Sequence, residues 1–225
     1  VLHQLLGDGG CAPRGSVVLI VEMLGRDLTL GSRNRVEVSF HAIDAYGKVQ
    51  GARNQAIALD LTPETRALVE QTGIRLLNRM ELPPGRYQLR VAARDPGKGN
   101  VGAVTYDLDV PDFPKQSISL SGLTLTSLAA DEMFTPRQDP QLEDALPAAP
   151  VARRAFLQND ELALFGEVYD HSGAAPHQVT LASTVLAADG RVMDETRDTI
   201  DSSDFDAKRS YPYSLRIPLG DFAPG

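Results

Sequence analysis

A chain of 225 residues with 42% hydrophobic content carries enough apolar side chains for one large or two modest cores, which excludes bulk disorder. Its formal charge of −8 argues against a nucleic-acid or anionic-membrane surface, and no apolar run approaches the ~20 residues that span a bilayer. A single cysteine, Cys11, leaves no intrachain disulfide and no cysteine-based metal site.

Residues 1–15 hold Gly7, Gly9, Gly10, Pro13 and Gly15 and read as an irregular lead-in. Ser16 to Leu24 contains the β-branched run Val17-Val18-Leu19-Ile20-Val21, the mark of a buried strand, and Arg26 to Leu30 extends it or adds a short neighbour. Arg35 to Asp44 alternates, with Val36, Val38 and Phe40 on one face and Arg35, Glu37, Ser39 and His41 on the other. Asp44-Ala45-Tyr46-Gly47 is a hairpin turn, after which Lys48 to Leu61 returns. The one convincing helix starts at Thr62-Pro63-Glu64-Thr65: Thr62 caps it, Pro63 suits the first position, Ala67, Leu68 and Val69 form its apolar side, and Gly73 stops it.

Ile74 to Leu82 is the next strand and leads into Leu82-Pro83-Pro84-Gly85-Arg86-Tyr87, where two prolines and a glycine turn the chain. Beyond it Tyr87, Leu89 and Val91 alternate with Arg86, Gln88 and Arg90. A corner that feeds an amphipathic strand through Gly-x-Tyr-x-Leu-x-Val is how a sandwich crosses between its sheets, with the tyrosine ring inside and its hydroxyl on the corner backbone. Val101 to Val110 follows with Val104, Tyr106, Leu108 and Val110 in register.

Ser117 to Leu128 is a further strand that either finishes the first sandwich or opens a second. From Asp131 to Pro150 there are four prolines and no period of 2 or 3.6, so a surface loop or linker is expected. The pattern restarts at Arg153, with strands over Glu161–Tyr169, Gln178–Ala188, Val192–Thr199 and Tyr211–Leu219, and an Asp189-Gly190 hairpin turn. The hairpin His41–Val49 lies over Leu186–Val192, and Leu82-Pro83-Pro84-Gly85 over Phe222-Ala223-Pro224-Gly225. The expected fold is therefore all-β: two tandem immunoglobulin-like β-sandwich domains, with one short helix in the first. The expected division is lead-in 1–15, first sandwich 16–128, Pro-rich linker 129–152, and a second sandwich 153–225 that is C-terminally truncated. Val1 is not a methionine and begins no signal peptide, so a piece of a longer polypeptide is expected.

Candidate chemistry is sparse. The turns Asp44–Gly47 and Asp189–Asp194 lack the ligand spacing of a calcium loop, and Asp198, Asp201, Asp204 and Asp206 form a denser group that suits at most a weak surface calcium site. Among His3, His41, His171 and His177 there is no His-x-x-x-His spacing, although His171 and His177 bracket one loop as a zinc pair would. Glu161, Glu167 and Asp170 imitate a glycosidase pair in composition only. With no nucleophile elbow, phosphate loop or His-Glu-x-x-His helix, the chain reads as non-enzymatic, with no catalytic, cofactor or metal residue to assign.

Leu82-Pro83-Pro84-Gly85-Arg86-Tyr87-Gln88-Leu89-Arg90-Val91-Ala92-Ala93-Arg94 with Tyr106-Asp107-Leu108-Asp109-Val110-Pro111-Asp112-Phe113, and Asp160-Glu161-Leu162-Ala163-Leu164-Phe165-Gly166-Glu167-Val168-Tyr169-Asp170, carry a resemblance. Together they resemble the C-terminal β-sandwich region of bacterial VWFA-related proteins of the acidobacterial type, from about Ser16 to Gly225. The resemblance implies an upstream von Willebrand factor A domain and export to the periplasm or beyond, and leaves the molecular function undefined; the expected role is a non-catalytic stalk or protein-binding module. Its adhesion motif Asp-x-Ser-x-Ser does not occur here, so no metal residue carries over. The rival expectation is an accessory or carbohydrate-binding domain of a secreted hydrolase, against which the lack of tryptophan and 6% aromatic content weigh.

Overall fold

The computed structural model describes residues 2–5, 14–31, 34–130, 132–173 and 175–223, the first four through their backbone. Cys11 and the Pro224-Gly225 end of the second repeat motif lie outside them. The first half runs β1 (Leu2–Leu5), β2 (Arg14–Met23), β3 (Asn34–Asp44), β4 (Val49–Leu59), α1 (Pro63–Thr72), β5 (Ile74–Leu82), β6 (Gly85–Asp95) and β7 (Asn100–Val110). Strands β1-β2-β5 form one sheet and β4-β3-β6-β7 the other, all neighbours antiparallel. Two findings differ from expectation. Leu2–Leu5 is a strand inside the supposed lead-in, paired along Arg14–Val17, and Gly25–Asp27 is a single 3-10 turn instead of more strand.

The sandwich follows from the side-chain period. Val36, Val38, Phe40 and Ala42 of β3 and Tyr87, Leu89 and Val91 of β6 point inward and meet Val17, Leu19, Ile74, Leu76, Met80 and Leu82 from the facing sheet. Helix α1 crosses between the sheets. The Thr62 hydroxyl accepts from the Thr65 N–H at 3.2 Å, Val69 is the one residue it buries, and it ends at Gly73, whose φ is 88°. A side chain at Gly73 would place its Cβ 2.3 Å from the Met23 carbonyl oxygen. At the corner Gly85 takes φ 153°, and the Tyr87 hydroxyl donates to the Pro83 carbonyl at 2.7 Å with its ring buried. Burial and the nearby Asp44 carboxylate raise the pKa of that phenol.

The second half contains β8 (Ile118–Leu120), β9 (Thr124–Ser127), the one-turn α2 (Pro140–Glu143), β10 (Glu161–Asp170), β11 (Gln178–Leu186), β12 (Val192–Asp201) and β13 (Ser210–Pro218). Strands β8 and β9 both pair with β10, so 118–127 joins the second half and not the first, where the boundary at 128 was expected. On its other side β10 pairs with β13, while β11 and β12 form a two-stranded sheet. Val168, Val179, Ile200, Phe205 and Tyr213 fill the space between these sheets. The pairing pattern repeats that of the first half: β2–β5 and β3–β4 there, β10–β13 and β11–β12 here.

The segment expected to be a linker is packed. The even residues of β2 turn away from the first core, and Val18 with Ile20 meets Leu142 and Leu146 of the loop and Ala163 and Phe165 of β10. Strand β2 is thus covered on both faces, which is why it reads as a continuous apolar run. Arg75 of β5, 1% exposed, stitches the loop down: Nη2 donates to the Ala130 carbonyl at 2.9 Å, Nη1 to the Ala149 carbonyl at 3.2 Å, and Nε lies 3.3 Å from Glu22. Arg79 grips Asp139 through both oxygens at 2.8–3.1 Å. Tyr169 of β10 meanwhile enters the first core, edge-on to Phe113 at 5.0 Å.

Candidate functional site

An ionic cluster sits where β10 ends. Asp170 is fully buried; its Oδ1 accepts the Ser172 N–H at 2.9 Å, and its Oδ2 receives the Arg209 guanidinium and lies 3.2 Å from His177 Nε2. Arg209 also donates Nε to the Asp170 carbonyl at 2.8 Å. Its backbone has φ 61°, rare for a side chain of this size, and is held there by Asp206, which accepts from the Arg209, Lys208 and Ser210 N–H groups. Burial pushes the Asp170 carboxyl up, but the Ser172 hydrogen bonds and the Arg209 and His177 charges outweigh it and leave its pKa below the ordinary value.

The arrangement lacks what acyl transfer needs. His177 Nδ1 lies 2.8 Å from the Ala175 carbonyl while Nε2 faces Asp170, so both ring nitrogens face oxygen acceptors. The Ser172 hydroxyl donates to the Ser117 carbonyl at 3.2 Å and is not presented to the imidazole. The cluster is a clasp: it ties Ser172, Gly173 and His177 to the turn before β13.

The other sequence candidates stay apart. Glu161 pairs with Arg216 at 3.1 Å, and Glu167 accepts from the Tyr169 hydroxyl at 2.5 Å. Six residues along one strand put Glu161 and Glu167 roughly 20 Å apart, far beyond the spacing of a glycosidase pair, and Asp170 has the opposite strand parity. In the aspartate group, Asp198 accepts from the Tyr213 hydroxyl at 3.0 Å, Asp201 from Gln178 at 2.9 Å, and Asp204 from the Asp201 N–H at 3.3 Å. Asp44 closes its hairpin by accepting from the N–H groups of Tyr46 and Lys48 and from Gln50. His171 does not share the His177 contacts, and among the described residues no three His, Cys, Asp or Glu side chains converge as metal ligands.

What remains is surface. Among the described residues, strand β7 lies at the edge of a four-stranded sheet that faces a three-stranded one. Val104 and Tyr106 pair with the inward residues Val91 and Leu89, yet they are 64% and 65% exposed. The overhang leaves them as an apolar ledge. On the solvent face of the same sheet, an open trough of about 460 Å³ is lined by residues such as Glu37, Ser39, Asn54, Ala92 and Arg94, with no aromatic ring on which a sugar could stack. In the described residues no helix is long and apolar enough to cross a membrane. Comparison with protein families, curated proteins and solved structures found no match to this chain.

Proposed function

We propose that the chain is a non-catalytic interaction module: two related immunoglobulin-like units that meet a protein partner, within an exported VWA-type bacterial polypeptide. The observation that carries this reading is the Val104–Tyr106 ledge, a large aliphatic and an aromatic side chain held out on a rigid strand whose hydroxyl-bearing ring suits a protein contact. The arginines and carboxylates described above support it from the other side, since they are spent on hairpins, clasps and the packed loop.

Two measurements test it. Sequencing the gene upstream of Val1 is expected to reveal an α/β domain carrying Asp-x-Ser-x-Ser; a catalytic hydrolase domain there, with retardation of this chain in polysaccharide-containing gels, would establish the accessory-domain reading instead. Once a partner is crosslinked and identified, Val104→Glu with Tyr106→Glu is expected to weaken binding at least tenfold, about 1.4 kcal/mol, at an unchanged melting temperature. Unchanged affinity would refute the ledge.

A further inference from the structure

Strand β7, which carries the ledge, has no strand on its outer edge among the described residues. The Asp44 N–H donates to the Lys48 carbonyl, so the even residues of β3 bond β4 and its odd residues bond β6. Carried along the sheet, that alternation makes the odd residues of β6 bond β7, and the even residues of β7 bond β6. The N–H and C=O groups of Val101, Ala103 and Thr105 therefore point outward. Open edges are normally defended by charge, proline or a bulge. At the opposite edge of the same sheet, β4 carries Arg53 and a break in register. From Val101 to Tyr106, β7 has no charge, no proline and no break, and its two acids, Asp107 and Asp109, stand together towards one end.

Two charges beside this edge are unspent. Arg94 lies opposite Glu37 on the solvent face, but Glu37 is held by Arg35 at 2.8 Å. Asp107 lies opposite Gln88, which instead accepts from Arg90 at 2.7 Å. Among the described residues neither Arg94 nor Asp107 enters an ion pair, whereas Arg86 and Asp109 lie 3.7 Å apart as a pair of their own.

We propose that β7 pairs antiparallel with β7 of a second copy of this chain, about a two-fold axis at Val104, so that the sheet continues from one molecule into the other. This rests on the reading of the chain as an interaction module and names the partner at the same ledge. The axis sets Ala103 opposite Thr105 and Val101 opposite Asp107 of the other copy, brings Val104 beside its own counterpart, and lays Tyr106 over Gly102. Arg94 faces Val101 across β6 and β7, so it shares a row with Asp107 of the other copy, about 10 Å away between Cα atoms and within reach of an arginine side chain. Symmetry makes that pair twice. The acids of the two copies fall at opposite ends of the new ladder, so like charges do not meet. A second copy fits better than an unrelated strand because it brings a free acid and a free arginine to both matching places at once.

Sedimentation equilibrium of the whole 225-residue chain tests the proposal. A concentration-dependent monomer–dimer equilibrium is expected. Thr105→Pro removes an N–H that β6 does not use, so the melting temperature is expected to stand while the dimer weakens at least tenfold. Ala56→Pro, which removes an outward N–H at the opposite edge, is expected to change nothing. Arg94→Asp alone and Asp107→Arg alone are each expected to weaken the dimer at least tenfold, because each sets like charges across the axis. An equal mixture of those two variants is expected to dimerise as the wild type does, since each then supplies the charge that the other lacks. A chain that stays monomeric, a dimer indifferent to Thr105→Pro, or a mixture that recovers nothing overturns the proposal. If the chain stays monomeric while a crosslinked partner of another kind still depends on Val104 and Tyr106, the second copy is refuted and the interaction reading stands.

Discussion

Arg75→Ala tests whether the loop over 129–152 is part of the folded body. The substitution removes a guanidinium that is 1% exposed and leaves the Ala130 and Ala149 carbonyls without it, with Glu22 retaining its bond to the Ala152 N–H. Deleting one member of a buried, hydrogen-bonded ion pair costs about 3–5 kcal/mol, because the groups left behind stay desolvated. For a chain of this size that corresponds to a fall in melting temperature of roughly 6–20 °C. Urea melts give the free energy, and timed limited proteolysis gives the location. The wild-type loop is expected to resist cleavage, and the variant to be cut first within 132–150. Arg75→Lys, which keeps the charge but not the fork that reaches two carbonyls, is expected to fall between them. A cost under about 1 kcal/mol, or a wild-type loop cut as readily as the variant's, would refute the claim that Arg75 holds the loop.

At the corner, Tyr87→Ala is expected to cost about 3–5 kcal/mol and Tyr87→Phe about 1 kcal/mol, the first for the ring and the second for the bond to Pro83. Arg86→Ala, with its side chain 87% exposed, is expected to cost less than about 0.5 kcal/mol; equal effects at 86 and 87 in urea melts would contradict the face assignment. Asp170 has a folded-state pKa below its unfolded value, so its contribution is present in full above about pH 4 and disappears as pH falls through the folded value. Asp170→Asn is therefore expected to be clearly destabilised at pH 7, with the gap to wild type narrowing below about pH 4; a gap independent of pH would show that the clasp is not electrostatic.

Strands that face one core were legible because their side chains alternate: Val36-Val38-Phe40 and Tyr87-Leu89-Val91 could be placed from parity alone, and the Pro-Pro-Gly corner announced its tyrosine bond. Parity failed where a strand has a second covered face or none. In β5 the odd positions Arg75 and Arg79 look like a solvent face, but the loop lies over them. In β7 the even positions look like core, but the facing sheet is too narrow to reach Val104 and Tyr106. The loop itself is held by arginine bonds across 55 and 74 residues and by Leu142 and Leu146, contacts that leave no periodic trace. Of the clasp, Asp170 and His177 were visible, whereas Arg209 lies 39 residues away and is marked only by its left-handed backbone.

The double coverage of β2 also bears on how the chain is made. Synthesis from the N-terminus completes the seven strands of the first sandwich long before the loop and β10 emerge. During that interval Val18 and Ile20 face water, and Arg75 has neither the Ala130 nor the Ala149 carbonyl. The nascent first half is thus a folded sandwich with an adhesive outer wall, exposed for the seconds that the next fifty or so residues take to be added at about 5–20 residues per second. A fragment ending near residue 116 would keep that wall permanently and would also lack Tyr169 against Phe113, and its solubility would fall.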